Sequence, residues 1–292
     1  MPLTVELALD ARATLGEGPT WDAEKQRLYW VDIDEMKLHA FNPLDGTDTA
    51  CEVGCRVGAA VPRASGGMIL ATQFGFEAFD LETGKRTLLA DPESHLRDNR
   101  FNDGKCDPRG RFWAGTMSLV REPKAAALYV LDTDGSVRRV LDGVTTSNGL
   151  GWSLDQSTMY YIDTPTLEVA AFDYDGDTGT IDRRRVVVKF PDGVGRPDGM
   201  TVDAEGMLWV AHWDGGRVTR WDPADGSLLL TVPLEADRVT SCTFGGPDLD
   251  RLYVTTAREG LDEEALARQP HAGGLFVVEP GVRGLPAVPY GG

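Results

Sequence analysis

Short strand-like runs, each carrying an aromatic or bulky apolar residue, recur at nearly even spacing along this 292-residue chain. They are Leu28-Tyr29-Trp30-Val31, Met68-Ile69-Leu70-Ala71, Arg111-Phe112-Trp113-Ala114, Met159-Tyr160-Tyr161-Ile162, Met207-Leu208-Trp209-Val210 and Arg251-Leu252-Tyr253-Val254. With Trp30, Leu70, Trp113, Tyr161, Trp209 and Tyr253 as markers, the intervals are 40, 43, 48, 48 and 44 residues. Five of the six follow a turn built on Asp, as in Asp107-Pro108-Arg109-Gly110 and Asp203-Ala204-Glu205-Gly206. Asp supplies the side-chain acceptor, and Gly the positive φ, that tight hairpins require. More alternating sequence follows each marker, so each unit has room for about four short strands, the period of a propeller blade.

The pattern predicts an all-β fold, a six-bladed β-propeller with a central channel, as one domain over residues 1–292. Val5-Glu6-Leu7-Ala8-Leu9 precedes the first unit as a lone strand, and Leu275-Phe276-Val277-Val278 follows the last marker. Sharing one blade would remove the exposed edges of an open ring. Two stacked β-sandwiches, the rival all-β arrangement, leave six similar units unexplained. Between Ala257 and Gly274 the strand pattern breaks, and Asp262-Glu263-Glu264-Ala265-Leu266-Ala267-Arg268 reads as a short helix, acids first and the base last.

Composition narrows the partners. A hydrophobic fraction of 41% suffices for a sizeable core and argues against disorder. No stretch approaches the roughly 20 apolar residues of a membrane helix, and the start lacks a basic segment followed by an apolar one. The expectation is a soluble, cytoplasmic protein with no membrane partner. A formal charge of −17 would repel nucleic acid and anionic membranes over most of the surface, so no nucleic-acid partner is expected. Acidity of this kind serves solubility, and part of it can surround a cation. Cys51, Cys55, Cys106 and Cys242 are too few and too scattered for a disulfide framework, so free thiols are expected.

The phase of the repeat carries the functional signal. Eleven to thirteen residues before each marker lies the start of the unit's first strand, which in a propeller lines the channel. Four of these positions hold Glu17, Asn102, Asn148 and Asp198; the other two fall near Ala59 and Cys242. Three of the four are followed by Gly, and Asn102-Asp103-Gly104 differs by one residue. Glycine there would let backbones crowd at a narrow opening. If the ring closes, two carboxylates and two amide oxygens converge at one end of the axis, a hard-oxygen set suited to one divalent cation: Ca2+, Mg2+, Mn2+ or, with less preference, Zn2+. The plainer alternative is that Asp-Gly and Asn-Gly are turns between blades. Against it, two carboxylates meeting in a channel without a cation would repel and raise one pKa.

Other chemistries lack their residues. There is no Gly-x-Ser-x-Gly and no phosphate-binding Gly-x-x-x-x-Gly-Lys-Ser/Thr. His39, His95, His212 and His271 occur singly, and none falls on the ligand phase; His212 reads as a surface or packed residue. Arg100, two residues before Asn102, offers a planar fork for a ligand's oxygens, or an ordinary salt bridge. Trp21, Trp30, Trp113 and Trp209 read as core.

Several motifs together resemble a known family. Leu15-Gly16-Glu17-Gly18-Pro19, Arg100-Phe101-Asn102-Asp103-Gly104-Lys105, Ala114-Gly115-Thr116-Met117, Ser147-Asn148-Gly149-Leu150, Pro197-Asp198-Gly199-Met200 and Cys242-Thr243-Phe244-Gly245-Gly246 are similar to those of the gluconolactonase, regucalcin and luciferin-regenerating-enzyme family, and within it to regucalcin-like sugar lactonases. The resemblance runs from about residue 12 to about 278. It implies a six-bladed propeller, one divalent cation in the channel, and hydrolysis of a small sugar lactone, such as gluconolactone, to the aldonic acid. On this match Glu17, Asn148 and Asp198 would hold the cation, Arg100 and Asn102 the substrate, and Asp198 would also activate water. One segment departs from the pattern. Family members carry acids shortly after Gly-Thr-Met, one of them touching the sugar, where this chain reads Ser118-Leu119-Val120-Arg121-Glu122. Val120 takes the matching place, Glu122 is the nearest acid that could stand in, and the sugar is left open.

Three rival functions use the same residues differently. A calcium-binding regulatory protein would bind the cation without turnover. A broader paraoxonase-like esterase would need a channel histidine. A scaffold propeller would have no reason to place Glu17, Asn148 and Asp198 in one phase. Oligomeric state is not legible in the sequence.

Overall fold

A computed structural model describes residues 3–292. Its strands form six four-stranded antiparallel sheets, one per repeat unit, arranged as a six-bladed β-propeller. The innermost strands are Gly16–Asp22, Val57–Pro62, Asn99–Cys106, Ser147–Trp152, Arg196–Val202 and Val239–Gly245. Each packs against the inner strands of both neighbouring blades, and the last packs back on the first, so the ring is closed.

All six markers lie on the second strand of a blade and are buried. The turn acid six residues upstream explains two of them. Asp107 accepts the backbone N–H of Arg109 and Arg111 at Oδ1, while Oδ2 accepts from Trp113 Nε1 at 3.0 Å and the Tyr174 hydroxyl at 2.7 Å. Asp203 repeats this arrangement, capping its turn through Glu205 and Met207 and accepting from Trp209 Nε1 at 2.8 Å and Arg220 Nε at 2.7 Å. One side chain thus closes the hairpin and satisfies the indole that the blade interface buries. A buried indole without an acceptor would cost about 1–3 kcal/mol.

The first and last strands meet as expected. Val5–Leu9 is the outermost strand of the last blade and pairs antiparallel with Leu275–Val278, Val5 opposite Val278 and Leu9 opposite Leu275. Leu3, Val5 and Leu7 pack on the apolar cluster around Val239, Leu252 and Phe276. The expected helix forms over Glu263–Arg268, with the Asp262 side chain accepting from Ala265 N. It is the only α-helix among the described residues, and no helix there is long and apolar enough to cross a membrane. All four thiols are free.

After the last strand the chain crosses the propeller face opposite the one where the inner strands begin. Gly284 N donates to Leu249 O and Arg283 O accepts from Ala204 N, fixing the segment to the fifth and sixth blades. Beyond the axis Tyr290 exchanges backbone bonds with Pro62 and Ala64, and its hydroxyl donates to Asp132 O at 2.7 Å. Residues 285–288 therefore cross the far mouth of the channel. This proline-rich stretch has no strand periodicity, so the repeat gave no sign of the strap.

Candidate functional site

Every inner strand breaks its ladder with the second strand near its start. The register shifts between Glu17 and Thr20, Val57 and Ala59, Phe101 and Asp103, Asn148 and Leu150, Pro197 and Met200, and Val239 and Ser241. A bulge re-aims the side chains beside it and bends the strand. The four polar residues of the repeat phase sit in or directly beside four of these bulges. Asn-Gly and Asp-Gly are therefore bulge residues inside strands, which corrects the reading of them as turns between blades. Glycine is needed because the backbones crowd: a Cβ on Gly149 would lie 2.9 Å from Asp198 O, and one on Gly58 would lie 2.5 Å from Phe101 O.

Glu17, Arg100, Asn102, Asn148 and Asp198 are all buried, each less than 8% exposed. Asn102 Nδ2 donates to Asn148 Oδ1 at 3.2 Å and to Ser147 O at 2.8 Å. Asn148 Nδ2 donates to Thr164 Oγ1 at 2.8 Å, and that hydroxyl in turn donates to Pro197 O at 2.8 Å. A continuous polar chain thus joins the third, fourth and fifth blades beside Asp198.

Arg100 departs from the salt-bridge alternative. Its Nη1 donates to Phe101 O at 2.9 Å and to Asn102 Oδ1 at 2.7 Å; its buried Nε has no acceptor, and no carboxylate among the described residues stands within ion-pair distance. Burial lowers its pKa to about 10, against the opposing pull of Asp34 and Glu17.

Burial, and then the charge of Asp103, push the Glu17 carboxyl up to about 8, although the Gly18 N–H donating to its Oε2 at 2.9 Å favours the ionised form. Asp198 is held well above the usual carboxylate range by burial, then by Glu17, then by Asp103. Its Oδ1 is buried with no hydrogen-bond partner. The repeat phase offered one residue per blade and so missed Asp103, which the bulge at Asn102 leaves buried beside the other two acids. The extra residue in Asn102-Asp103-Gly104, where the other units read X-Gly, was the available signal. Lys105 was missed as well: its Nζ donates to Met200 O at 2.6 Å, burial lowers its pKa, and Asp103 raises it.

Other candidates fall outside. His212 is fully buried, hydrogen-bonded through Nε2 to Thr219 Oγ1 at 2.6 Å and packed on Phe190, as expected of a packed histidine. Val120 and Glu122 lie on an exposed loop, and Glu122 has no side-chain partner among the described residues. Among the described residues no group of three or more His, Cys, Asp or Glu is arranged to hold a metal. Any cation set here combines carboxylates with amide oxygen.

A closed six-bladed ring whose inner-strand bulges gather buried acids, amides and one guanidinium at a single channel end defines a propeller with an axial polar site. Residues 15–258 match the SMP-30/Gluconolactonase/LRE-like region family, and the chain belongs to it. Regucalcin of Danio rerio is 46% identical over 296 residues, covering 99% of each chain. The crystal structure of a calcium-binding protein, regucalcin, from Agrobacterium tumefaciens superposes with a TM-score of 0.95 at 31% identity, covering 99% of this chain and 98% of that one. A gluconolactonase from Xanthomonas campestris superposes with a TM-score of 0.77 at 26% identity, covering 95% and 89%.

Proposed function

We propose that the channel end binds one divalent cation through Glu17, Asn148 and Asp198, with calcium the foremost candidate, and that a sugar lactone is hydrolysed there. The observation that carries this reading is the unsatisfied Oδ1 of Asp198, buried among acids that raise one another's pKa. Buried carboxylates in such numbers need a compensating positive charge. Arg100 is occupied with carbonyl and amide oxygens and makes no ion pair with them, and Lys105, whose charge bears on Asp103 alone among these acids, donates to Met200 O and forms none either. The donors are hard oxygens, which fit Ca2+, Mg2+ or Mn2+ better than a thiolate or imidazole metal.

Of the two parts of this proposal, cation binding has the more direct support, because two of the similar proteins, at 46% identity and at a TM-score of 0.95, are regucalcins, one of them a calcium-binding protein. A calcium-binding protein without turnover is accordingly a full second reading of the same site. Turnover draws its support from the family, whose description includes gluconolactonase, and from the Xanthomonas gluconolactonase.

In the hydrolytic reading each residue has a task. A bound cation supplies positive charge that offsets the acids and polarises a carbonyl oxygen. The Arg100 Nε, without a protein acceptor, offers a donor to the substrate's oxygens, and Asn102 holds Asn148 and Arg100 in register. Asp198 Oδ1 takes a proton as water attacks the lactone carbon. The ring C–O bond then breaks, and the proton is passed to the departing ring oxygen, which becomes the product's hydroxyl.

Calorimetric titration of chelator-stripped protein with calcium, alongside a proton-release assay on gluconolactone and xylonolactone with and without chelator, tests both parts. Tight binding with chelator-sensitive hydrolysis is the expected result. Binding without turnover leaves the calcium-binding reading alone standing, and absence of both removes the proposal.

A further inference from the structure

The channel has a second end. Beneath the strap lies a cavity of about 370 Å3, walled by Val61, Trp152 and Val202 from three blades and closed over by Val288. This is within the range of pockets that hold small molecules. Lys105 lines it. Among the described residues the Lys105 ammonium has one hydrogen-bond acceptor, Met200 O at 2.6 Å. Two of its three protons are therefore left for something inside the cavity. Thr20, Thr201 and Thr243 line the same space, and none of their hydroxyls has a hydrogen-bond partner among the described residues.

Charge differs between the two ends. Glu17, Asp103 and Asp198 make the near end acidic, and the charge of Asp103 bears on Lys105 without an ion pair or hydrogen bond between them, whereas the one charged side chain lining the far cavity is a cation. Ser153 and Gln156 also line the space, the Ser153 hydroxyl already bonded to Asp155 Oδ1 and Thr158 N. A largely apolar wall with one ammonium and three unpaired threonine hydroxyls matches a molecule with an apolar body and one anionic head. A polyhydroxylated sugar acid would instead leave its hydroxyls against valine and tryptophan, each unpaired polar group opposing binding.

We propose that this far end is a separate ligand site for an amphipathic monocarboxylate, its carboxylate held by Lys105 and the threonines and its hydrocarbon portion packed against Val61, Trp152, Val202 and the strap. The site shares no side chain with the proposed cation set and stands whether or not the near end hydrolyses lactones. Ala287, also lining the cavity, is exposed on the strap, so the site opens to solvent between the strap and the blade ends.

Octanoate is the probe, with octanol and octylamine as neutral and cationic controls, titrated calorimetrically into the full-length protein at neutral pH. Octanoate should bind at least tenfold more tightly than octanol, with octylamine weakest, since only the carboxylate gains a charge-assisted hydrogen bond from the Lys105 ammonium. Lys105→Met should weaken octanoate tenfold or more while leaving octanol within about twofold. Ala287→Trp, a surface change that puts an indole into the cavity mouth, should abolish octanoate binding and keeps the test decisive if Lys105→Met fails to fold. Octanoate binding no tighter than octanol, or undiminished by Ala287→Trp, overturns the proposal.

Discussion

The amide of Asn102 donates to the side-chain oxygen of Asn148 across 3.2 Å, from the inner strand of one blade to the inner strand of the next. The same Asn102 accepts from Arg100 Nη1 at 2.7 Å, so one side chain sets both a cation ligand of the proposed site and its guanidinium. Asn102→Ala should therefore lower kcat/KM for a lactone about a hundredfold and destabilise the fold by about 1–3 kcal/mol, because Arg100 and Ser147 O lose buried partners. Steady-state kinetics and urea denaturation on the same preparation check both effects.

Asp198 should behave in opposite senses in the two states of the site. In chelator, Asp198→Asn removes one of three mutually opposed buried carboxylates and should stabilise the protein by about 1 kcal/mol or more. With excess calcium the wild type should be the more stable, gaining about 2.7 kcal/mol when free calcium is a hundred times Kd. The variant should lose that gain along with its hydrolytic rate, which should fall about 10²- to 10⁴-fold. Thermal melts with and without calcium read the reversal directly; a variant that melts below wild type in both conditions contradicts it.

His212 gives a pH dependence of known sign. Burial lowers its pKa from 6.5 to about 4, so between these values the unfolded chain takes up a proton that the folded chain refuses. Its contribution is complete above about pH 6.5 and is lost as pH falls toward 4, amounting to about 3 kcal/mol. Denaturant titrations at a series of pH values should show this loss in the wild type. His212→Gln, which cannot be charged, should flatten the profile over that window.

Removing residues 1–9 should cost more than their length suggests. The deletion takes away the outer strand of the sixth blade, uncovers the edge of Leu275–Val278, and strips apolar cover from the cluster around Phe276. A loss of about 3–5 kcal/mol, or roughly a 10 °C fall in Tm, is expected, with self-association through the bared edge. Melting and light scattering of the truncated chain measure both.

The fold was legible because each blade must bury a large residue on its second strand, and five of the six precede it with a turn built on Asp. Trp113 with Asp107, and Trp209 with Asp203, are local pairs six residues apart that any reading of the chain meets directly. The repeat phase likewise picked out Glu17, Asn102, Asn148 and Asp198, since strand position alone determines which residues line a channel. Asp103 and Lys105 escaped because the Asn102 bulge shifts the strand's register, a one-residue slip that two-residue alternation does not reveal. The strap escaped for a different reason: Tyr290 and Gly284 are anchored by backbone bonds to distant turns, and backbone bonds leave little mark on side-chain pattern. What the loop at Val120 does to substrate choice depends on a side chain facing solvent, where neither burial nor periodicity constrains the residue.

The clasp between Val5–Leu9 and Leu275–Val278 also fixes an order of assembly. The first strand of the ring is the last to find its place, because its partner lies some 270 residues further along the chain. Five blades can form from neighbours in sequence, whereas the sixth waits for two distant segments, and the entropy cost of closing that long loop falls on it alone. Closure of the wheel thus acts as a checkpoint: a chain cut short before Leu275 has no partner for its opening strand.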